Sequence, residues 1–195
     1  MITLFTSYYE NYRKDDLLFS IQKNIENKYL DKIVIICENE LNIENEKLVK
    51  ISSTKKQQTF TDFFNLVNSF DNPDISIISN SDMYMGDNIN LVNNMKENEC
   101  YALTRYEENG HLYPSPHHSQ DTWIFKGKIK EIWGDFALGI IRGCDNRIAY
   151  EIEKAGYIIT NPCLTIKTFH KHTVRKPPSK EAIPQPYKTI IGTAL

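Results

Sequence analysis

The run Lys32–Cys37 (KIVIIC) constrains the fold more than any other part of the sequence. After Lys32 its residues are apolar without alternation, which is typical of a strand that is buried on both faces. Apolar residues recur at helical spacing within residues 13–27, and again after Thr59, a favourable N-cap residue. Buried strands that alternate with amphipathic helices predict an α/β domain with a mostly parallel, twisted central sheet flanked by helices. Further strands are predicted at residues 1–7, 48–51, 74–79, 101–106, 121–125, 157–160 and 164–166.

Length and composition indicate one domain and exclude several function classes. A chain of 195 residues can bury a full core. We assign residues 1–172 to this domain and the Pro- and Lys-rich residues 173–195 to a loose tail or a strap across it. A net charge of −2 gives no excess positive charge for binding a nucleic-acid backbone. No apolar run approaches the ~18 residues of a membrane span, and no signal peptide is evident, so we expect a cytoplasmic protein. No cysteines form a CxxC pair, so we expect reduced thiols.

The tripeptide Asn80-Ser81-Asp82 comes directly after the predicted buried strand 74–79. In open α/β sheets, ligands bind beyond the carboxyl ends of the strands. A carboxylate at that position is well placed to hold a divalent cation beside a phosphate. The same three residue types are also favoured in ordinary turns, and the tripeptide alone favours the turn.

A second candidate feature is the pair His170 and His172 near the end of the last predicted strand. In an extended segment, alternation places both imidazoles on one side, where one or both can bind a metal. Two solvated histidines are the alternative interpretation. Lys171 and Arg175 follow closely, and cations at such a place suit an anionic leaving group such as a diphosphate.

Two acidic residues are candidates for acid–base chemistry. Asp145 begins a predicted helix that ends before Gly156, and it is either a helix-capping residue or a carboxylate presented at the mouth of the sheet. Asp121, at the start of a strand, has the same two interpretations. Arg105 either clamps a phosphate or, more commonly for such a residue, pairs with Glu107. The loop 107–120, between Arg105 and Asp121 in the sequence, is interpreted as a lid on the acceptor side.

Taken together, these stretches resemble the small GT-A-type glycosyltransferases of bacteria and large DNA viruses, including the N-terminal domain of a chlorovirus enzyme. The resemblance covers most of residues 1–172 and runs in the family's order. The matching stretches are LFTSYY, TFTDFF, IISNSDMYM, YALTRYE, SQDTWIFKG and GCDNRIAYEIEKAGYIITNPCLTIKTFHKH. The resemblance implies a single GT-A-like (Rossmann-like) domain that transfers a sugar from a nucleotide-diphosphate sugar, UDP-linked by preference, to a hydroxyl acceptor on a glycan or another biomolecule.

The resemblance also implies roles for individual residues. Asn80-Ser81-Asp82 would replace the family's DXD motif, with Asn in place of the first Asp and therefore fewer charges on the metal. Asp82 would bind Mn²⁺ or Mg²⁺ together with His170 or His172. Asp145 would activate the acceptor, and Asp121 would face the sugar or the acceptor. The residues expected around the nucleotide are Thr6, Ser7 and Tyr8 at the base, Arg13, Asn80 near the ribose, Ser81, Arg105, Lys171 and Arg175.

Two other functions stay open on the sequence. A nucleotidyltransferase also uses an α/β sheet and a carboxylate-bound metal, although no Gly-rich phosphate loop follows the first strand. A non-catalytic domain that binds a nucleotide sugar is the third possibility. Binding without turnover would distinguish it from the two enzymes.

Overall fold

The computed structural model describes residues 1–70, 73–139, 141–173 and 181–195. Two short 3₁₀ helices span Ile89–Asn94 and Pro116–His118. The α-helices are α1 (Lys14–Glu26), α2 (Phe60–Ser69) and α3 (Cys144–Lys154). The strands are β1 (Ile2–Tyr8), β2 (Lys32–Cys37), β3 (Leu48–Ser52), β4 (Ile75–Ser79), β5 (Met83–Met85), β6 (Glu99–Leu103), β7 (Tyr106–Glu107), β8 (Thr122–Lys126), β9 (Ile158–Thr160) and β10 (Thr168–His170).

Seven strands form the central sheet in the order β3-β2-β1-β4-β8-β6-β9. The pairs β1–β2, β2–β3, β1–β4 and β6–β9 are parallel, whereas β8 runs antiparallel to both β4 and β6. The predicted α/β class is therefore confirmed, with one reversed strand in a mostly parallel sheet. A smaller sheet has the order β5-β10-β7.

The core lies on both faces of the central sheet, as the unbroken apolar run of β2 predicts. Ile33 and Ile35 belong to one apolar cluster and Val34 and Ile36 to the other, because successive side chains of a strand point to opposite faces. Apolar residues of α1 complete the first cluster, and those of α2 and α3 complete the second. This two-sided burial leaves the ends of the strands as the place for a polar site.

Local signals place the helix ends as predicted. The side chain of Thr59 accepts a hydrogen bond from the backbone N–H of Asp62, and the Asp62 carboxylate accepts one from the backbone N–H of Thr59. This reciprocal capping box satisfies two donors that the first turn of α2 would otherwise leave without partners. Helix α3 ends before Gly156, which has a φ of +89°.

Two predicted strands differ from the structure. The strand predicted at 101–106 ends at Leu103, and the chain then leaves the central sheet to form β7 in the smaller one. Thr104 marks the change, because its N–H donates to the Asn161 side chain instead of a neighbouring strand. Residues 164–166 are not a strand either: the N–H groups of Thr165 and Ile166 both donate to the carbonyl of Pro162, which closes a turn. The strand forms four residues later, as β10.

Residues 181–195 lie against the domain. Ile183 and Ile190 are buried in the apolar cluster that α2 and α3 complete. The N–H of Thr193 donates to the carbonyl of Asn161, and the N–H of Lys188 donates to that of Asn146. The end of the chain is thus fixed by both apolar and backbone contacts.

The four cysteines are free and buried. This agrees with the prediction that they form no disulfide framework. Within the described ranges, no helix combines the length and the apolar character that crossing a membrane requires.

Candidate active site

Asp82 lies at the carboxyl ends of the parallel strands β1 and β4. It belongs to the turn that joins β4 to β5, in which the N–H of Met83 donates to the carbonyl of Asn80 at 3.2 Å. The segment is therefore a turn, as its composition favours, and it also directs a buried carboxylate towards β10. The two interpretations of Asn80-Ser81-Asp82 are compatible.

Asp82, His170 and His172 lie close together although they are far apart in sequence. One potential ligand atom from each lies within 4.8 Å of the other two. The Nε2 atom of His170 is 2.9 Å from Oδ2 of Asp82, and the two imidazole rings have their centroids 4.7 Å apart. The β10 strand provides His170 at its end, so the pairing of β10 with β5 brings the histidines to the acidic turn.

Arg13, the residue immediately before helix α1, closes the same cluster. Its Nη2 atom is 2.8 Å from Oδ2 of Asp82 and also donates to the carbonyl of Lys171, while its Nε donates to Asp16. Burial raises the pKa of Asp82, but the hydrogen bonds and charges of His170 and Arg13 outweigh this effect and lower it to about 2. Asp82 is therefore ionised at neutral pH and faces two groups that can carry positive charge.

A second acidic group lies at the start of β8 and of α3. The carboxylate of Asp121 accepts hydrogen bonds from Arg105 Nη1 and from the side-chain amide of Asn80, both at 3.0 Å. The Asp145 carboxylate accepts one from the backbone N–H of Gln120. Burial, reinforced by the charge of Asp121, raises the pKa of Asp145 to about 7. Asp145 can thus exchange a proton near neutral pH, which is the property that a general base needs.

A cleft of about 490 Å³ opens beside Asp82. Asn80 belongs to its wall and also donates to Asp121, so the Asp121 carboxylate lies directly behind the cleft. A cleft of this size is within the range of small-molecule sites. It is lined by Ser7, Tyr9, Asn11, Arg13, Glu38, Lys56, Gln57, Gln58, Phe63, Ser79, Asn80, Ser81, Asp82, Leu138 and Gly139.

The structure brings only some of the predicted nucleotide residues to this cleft. Ser7 lines it, and its hydroxyl lies 2.8 Å from that of Ser81. The neighbours Thr6 and Tyr8 are buried instead, and the hydroxyl of Thr6 donates to the carbonyl of Ser79. Strand alternation explains this difference, because only every second side chain faces the cleft.

Of the predicted basic residues, Arg13 lines the cleft, whereas Arg105 and Lys171 do not. Arg105 lies outside the cleft wall, and its Nε is 3.5 Å from Glu107, which is the pairing that the sequence favours. The ammonium of Lys171 is 2.7 Å from Glu108 and 4.8 Å from the ring centroid of Phe19. Arg175 lies outside the described residues.

Sequence reasoning missed several residues of the site. Glu38 directly follows β2 and accepts a hydrogen bond from the N–H of Gln57 at the cleft. The rule that ligands bind at the carboxyl ends of strands points to Glu38. No comparable signal marks Gln57 or Lys56, which reach the cleft from the loop before α2.

The chain has a GT-A-like, Rossmann-type α/β fold, which it shares with solved structures of low sequence identity. The mannosyltransferase PcManGT from Pyrobaculum calidifontis, solved with GDP-Man and Mn²⁺, is 11% identical over 87% of this chain and 56% of its own, with a TM-score of 0.55. GalNAc-T7, solved with UDP, GalNAc and Mn²⁺, is 10% identical over 91% of this chain and 45% of its own, with a TM-score of 0.57. The chain spans about half the length of these two structures. No protein-family model and no curated protein matches the chain.

A divalent cation fits the cluster of Asp82, His170 and His172. The donor set is one ionised carboxylate and two imidazoles, which are ordinary ligands of divalent metals. The carboxylate is buried, so a charge of opposite sign close to it is favourable. Arg13 already supplies one such charge at Oδ2.

Proposed function

We propose that this chain is a metal-dependent glycosyltransferase that transfers a sugar from a nucleotide-diphosphate sugar, with UDP as the favoured nucleotide, to a hydroxyl acceptor on a glycan or another biomolecule. The observation that carries the proposal is the group Asp82, His170 and His172 at the edge of a cleft large enough for a nucleotide. The GT-A-type fold agrees with this reaction class.

The donor would occupy the cleft, with Asp82, His170 and His172 holding Mn²⁺ or Mg²⁺ at its edge. A mixed set of carboxylate and imidazole ligands favours Mn²⁺ over Mg²⁺, which prefers oxygen ligands alone. When bound, the metal supplies positive charge that stabilises the departing diphosphate. Ser7, Asn80 and Ser81 line the cleft and offer hydrogen-bonding groups to the nucleotide.

Asp145 is our candidate for the residue that activates the acceptor. In the transfer, the acceptor oxygen forms a bond to the anomeric carbon, the bond from that carbon to the phosphate oxygen breaks, and the hydroxyl proton passes to the Asp145 carboxylate. Asp121 accepts hydrogen bonds from Arg105 and Asn80, and burial together with the charge of this neighbour raises the pKa of Asp145.

Calorimetric titration tests the proposal: UDP, GDP and dTDP are each titrated in the presence of Mn²⁺ and again in the presence of EDTA. Metal-dependent binding of one nucleotide is expected. Binding of none by a folded sample would contradict the donor site. Hydrolysis of the matching nucleotide sugar in the absence of acceptor then tests turnover, because a non-catalytic binding domain would bind the donor without consuming it.

A further inference from the structure

We propose that Glu107 is a positioning residue that orients the His170 ring for metal binding by accepting the proton of its Nδ1 atom. The inference rests on the metal site of the proposed function. It adds a residue that touches neither the metal nor the donor and acts only through His170.

The register of the small sheet places the three residues side by side. His170 of β10 lies opposite Glu107 in the parallel pairing with β7, and opposite Met83 in the antiparallel pairing with β5. Asp82 immediately precedes Met83, and its carbonyl accepts a hydrogen bond from the N–H of Lys171. His170 therefore lies between two carboxylates that the backbone hydrogen bonds keep on opposite sides of it.

The two nitrogens of His170 have different surroundings. Nε2 lies 2.9 Å from Oδ2 of Asp82, another member of the candidate metal cluster. Nδ1 is buried and makes no hydrogen bond within the described part of the chain, and Oε2 of Glu107 lies 3.8 Å away from it. A buried ring nitrogen needs a polar partner, and this carboxylate oxygen is within reach of a small rotation of either side chain.

A histidine that binds a metal through one nitrogen usually donates the N–H of the other to a carboxylate or a carbonyl. That hydrogen bond determines which nitrogen carries the proton and keeps the ring in the orientation that the metal requires. With the proton of Nδ1 directed to Glu107, the lone pair of Nε2 is left for the cation. Glu107 would thus select the tautomer of His170 that can act as a ligand.

Arg105 holds Glu107 in place for this role. Its Nε lies 3.5 Å from Oε1 of Glu107, so the arginine attracts the carboxylate oxygen that does not face His170. The guanidinium is fixed in turn by Asp121 at 3.0 Å and by the ring of Tyr113, whose centroid is 4.3 Å away. Arg105 and Glu107 therefore connect the acidic group behind the cleft to the histidine at its edge.

Direct measurement of Mn²⁺ affinity tests this role without any assay of activity. We expect Glu107→Gln to weaken Mn²⁺ binding by about 10- to 100-fold, as is usual for the partner of a metal-binding histidine, when free Mn²⁺ is followed by electron paramagnetic resonance. The matched control is Glu108→Gln, which removes the same charge from the next residue, an exposed one that pairs with Lys171. The control should keep the wild-type affinity.

The variant His170→Gln separates this inference from the proposed function. If it abolishes Mn²⁺ binding while Glu107→Gln binds like the wild type, the role of Glu107 is refuted and the metal site stands. If His170→Gln binds Mn²⁺ normally, both the metal site and the role of Glu107 are refuted.

The tautomer of His170 gives a second measurement, which does not depend on whether the Glu107 variant folds. In ¹⁵N-labelled wild-type protein with Zn²⁺ as a diamagnetic probe, ring nitrogen spectra should show the proton of His170 on Nδ1. A proton on Nε2 would overturn the inference. Glu107→Gln is expected to change the Nδ1 signal while Glu108→Gln leaves it unchanged.

Discussion

Oδ2 of Asp82 lies 2.9 Å from Nε2 of His170, a residue 88 positions later in the chain, and 2.8 Å from Nη2 of Arg13. One buried carboxylate oxygen thus joins the residue before helix α1, the turn after β4 and strand β10. Removing one partner of a buried ion pair typically costs roughly 3–5 kcal/mol, because the other charge is left uncompensated. The same contact therefore contributes to both the stability of the protein and its candidate metal site.

The stabilisation that Asp82 provides should depend on pH in a defined direction. Its pKa in the folded protein is lowered from 3.8 to about 2. A lowered pKa means that the stabilisation, about 2 kcal/mol, is fully present above pH ~4 and is lost as the pH falls towards 2. We expect the free energy of unfolding in urea to decrease over this range more steeply in the wild type than in Asp82→Asn. Equal slopes would show that Asp82 is not the group responsible.

Asp82→Asn should also weaken Mn²⁺-dependent nucleotide binding. The amide keeps the shape of the side chain but removes the negative charge that attracts a cation. A loss of about 3 kcal/mol in binding free energy corresponds to a dissociation constant roughly 100-fold larger. The control is Asp87→Asn, since Asp87 is an exposed acid a few residues later. Calorimetry with UDP and Mn²⁺ measures both variants, and unchanged binding by Asp82→Asn would argue against its role as a metal ligand.

Asp145→Asn should abolish most of the transfer activity without affecting donor binding. Losing a general base typically slows a reaction by ~10²–10⁴-fold. In the wild type, the rate should rise with pH through about 7, the pKa of Asp145, because only the ionised carboxylate accepts a proton. Initial rates from pH 5.5 to 8.5 measure this profile. Asp135→Asn changes an exposed acid instead and should keep the wild-type profile.

Asp145 should also reduce the stability of the protein at high pH. A carboxyl group with a raised pKa favours folding most when it is neutral, so its contribution falls as the pH rises from about 4 to about 7. We therefore expect Asp145→Asn to melt at a higher temperature than the wild type at pH 8, and to differ less at pH 5. A variant that melts at a lower temperature at pH 8 would contradict the raised pKa.

Gly139→Ala should affect the cleft through Asn80. A Cβ atom at Gly139 would lie 2.7 Å from Nδ2 and 2.9 Å from Oδ1 of Asn80, which would displace that amide from Asp121. The displaced amide would also lose the hydrogen bond that it offers to the nucleotide, and a loss of about 1.4 kcal/mol there would weaken nucleotide binding about tenfold. Gly127→Ala is the matched control, because Gly127 has a similar positive φ but no atom within 4 Å of the added carbon. Both variants should lose stability, and only Gly139→Ala should lose affinity.

Thr59→Ala should destabilise the protein by about 1 kcal/mol, the usual cost of losing an N-cap side chain. The hydroxyl of Thr59 and the carboxylate of Asp62 satisfy two backbone N–H groups at the start of α2. Thr59→Ser keeps the oxygen and should retain most of the stability. Urea unfolding of the two variants measures the difference, and equal losses would show that the cap hydrogen bond is not responsible.

The sequence by itself determined the elements that depend on neighbouring residues. The Thr59 cap, the buried strand β2 and the end of α3 before Gly156 follow from spacing and from local hydrogen bonding, and they lie where the sequence predicts them. The acidic turn after β4 was also visible, since a polar tripeptide directly follows a buried strand.

Only the tertiary structure decided which of the polar residues meet. The pairing of His170 with Glu107, and of Arg105 with Asp121, depends on strand register and on a second sheet that no local pattern indicated. The strand predicted at residues 164–166 was wrong because a turn at Pro162 satisfies its backbone groups before the strand begins. Contacts between distant segments arise from the packing of the whole domain, so a short window of sequence does not contain the information that determines them.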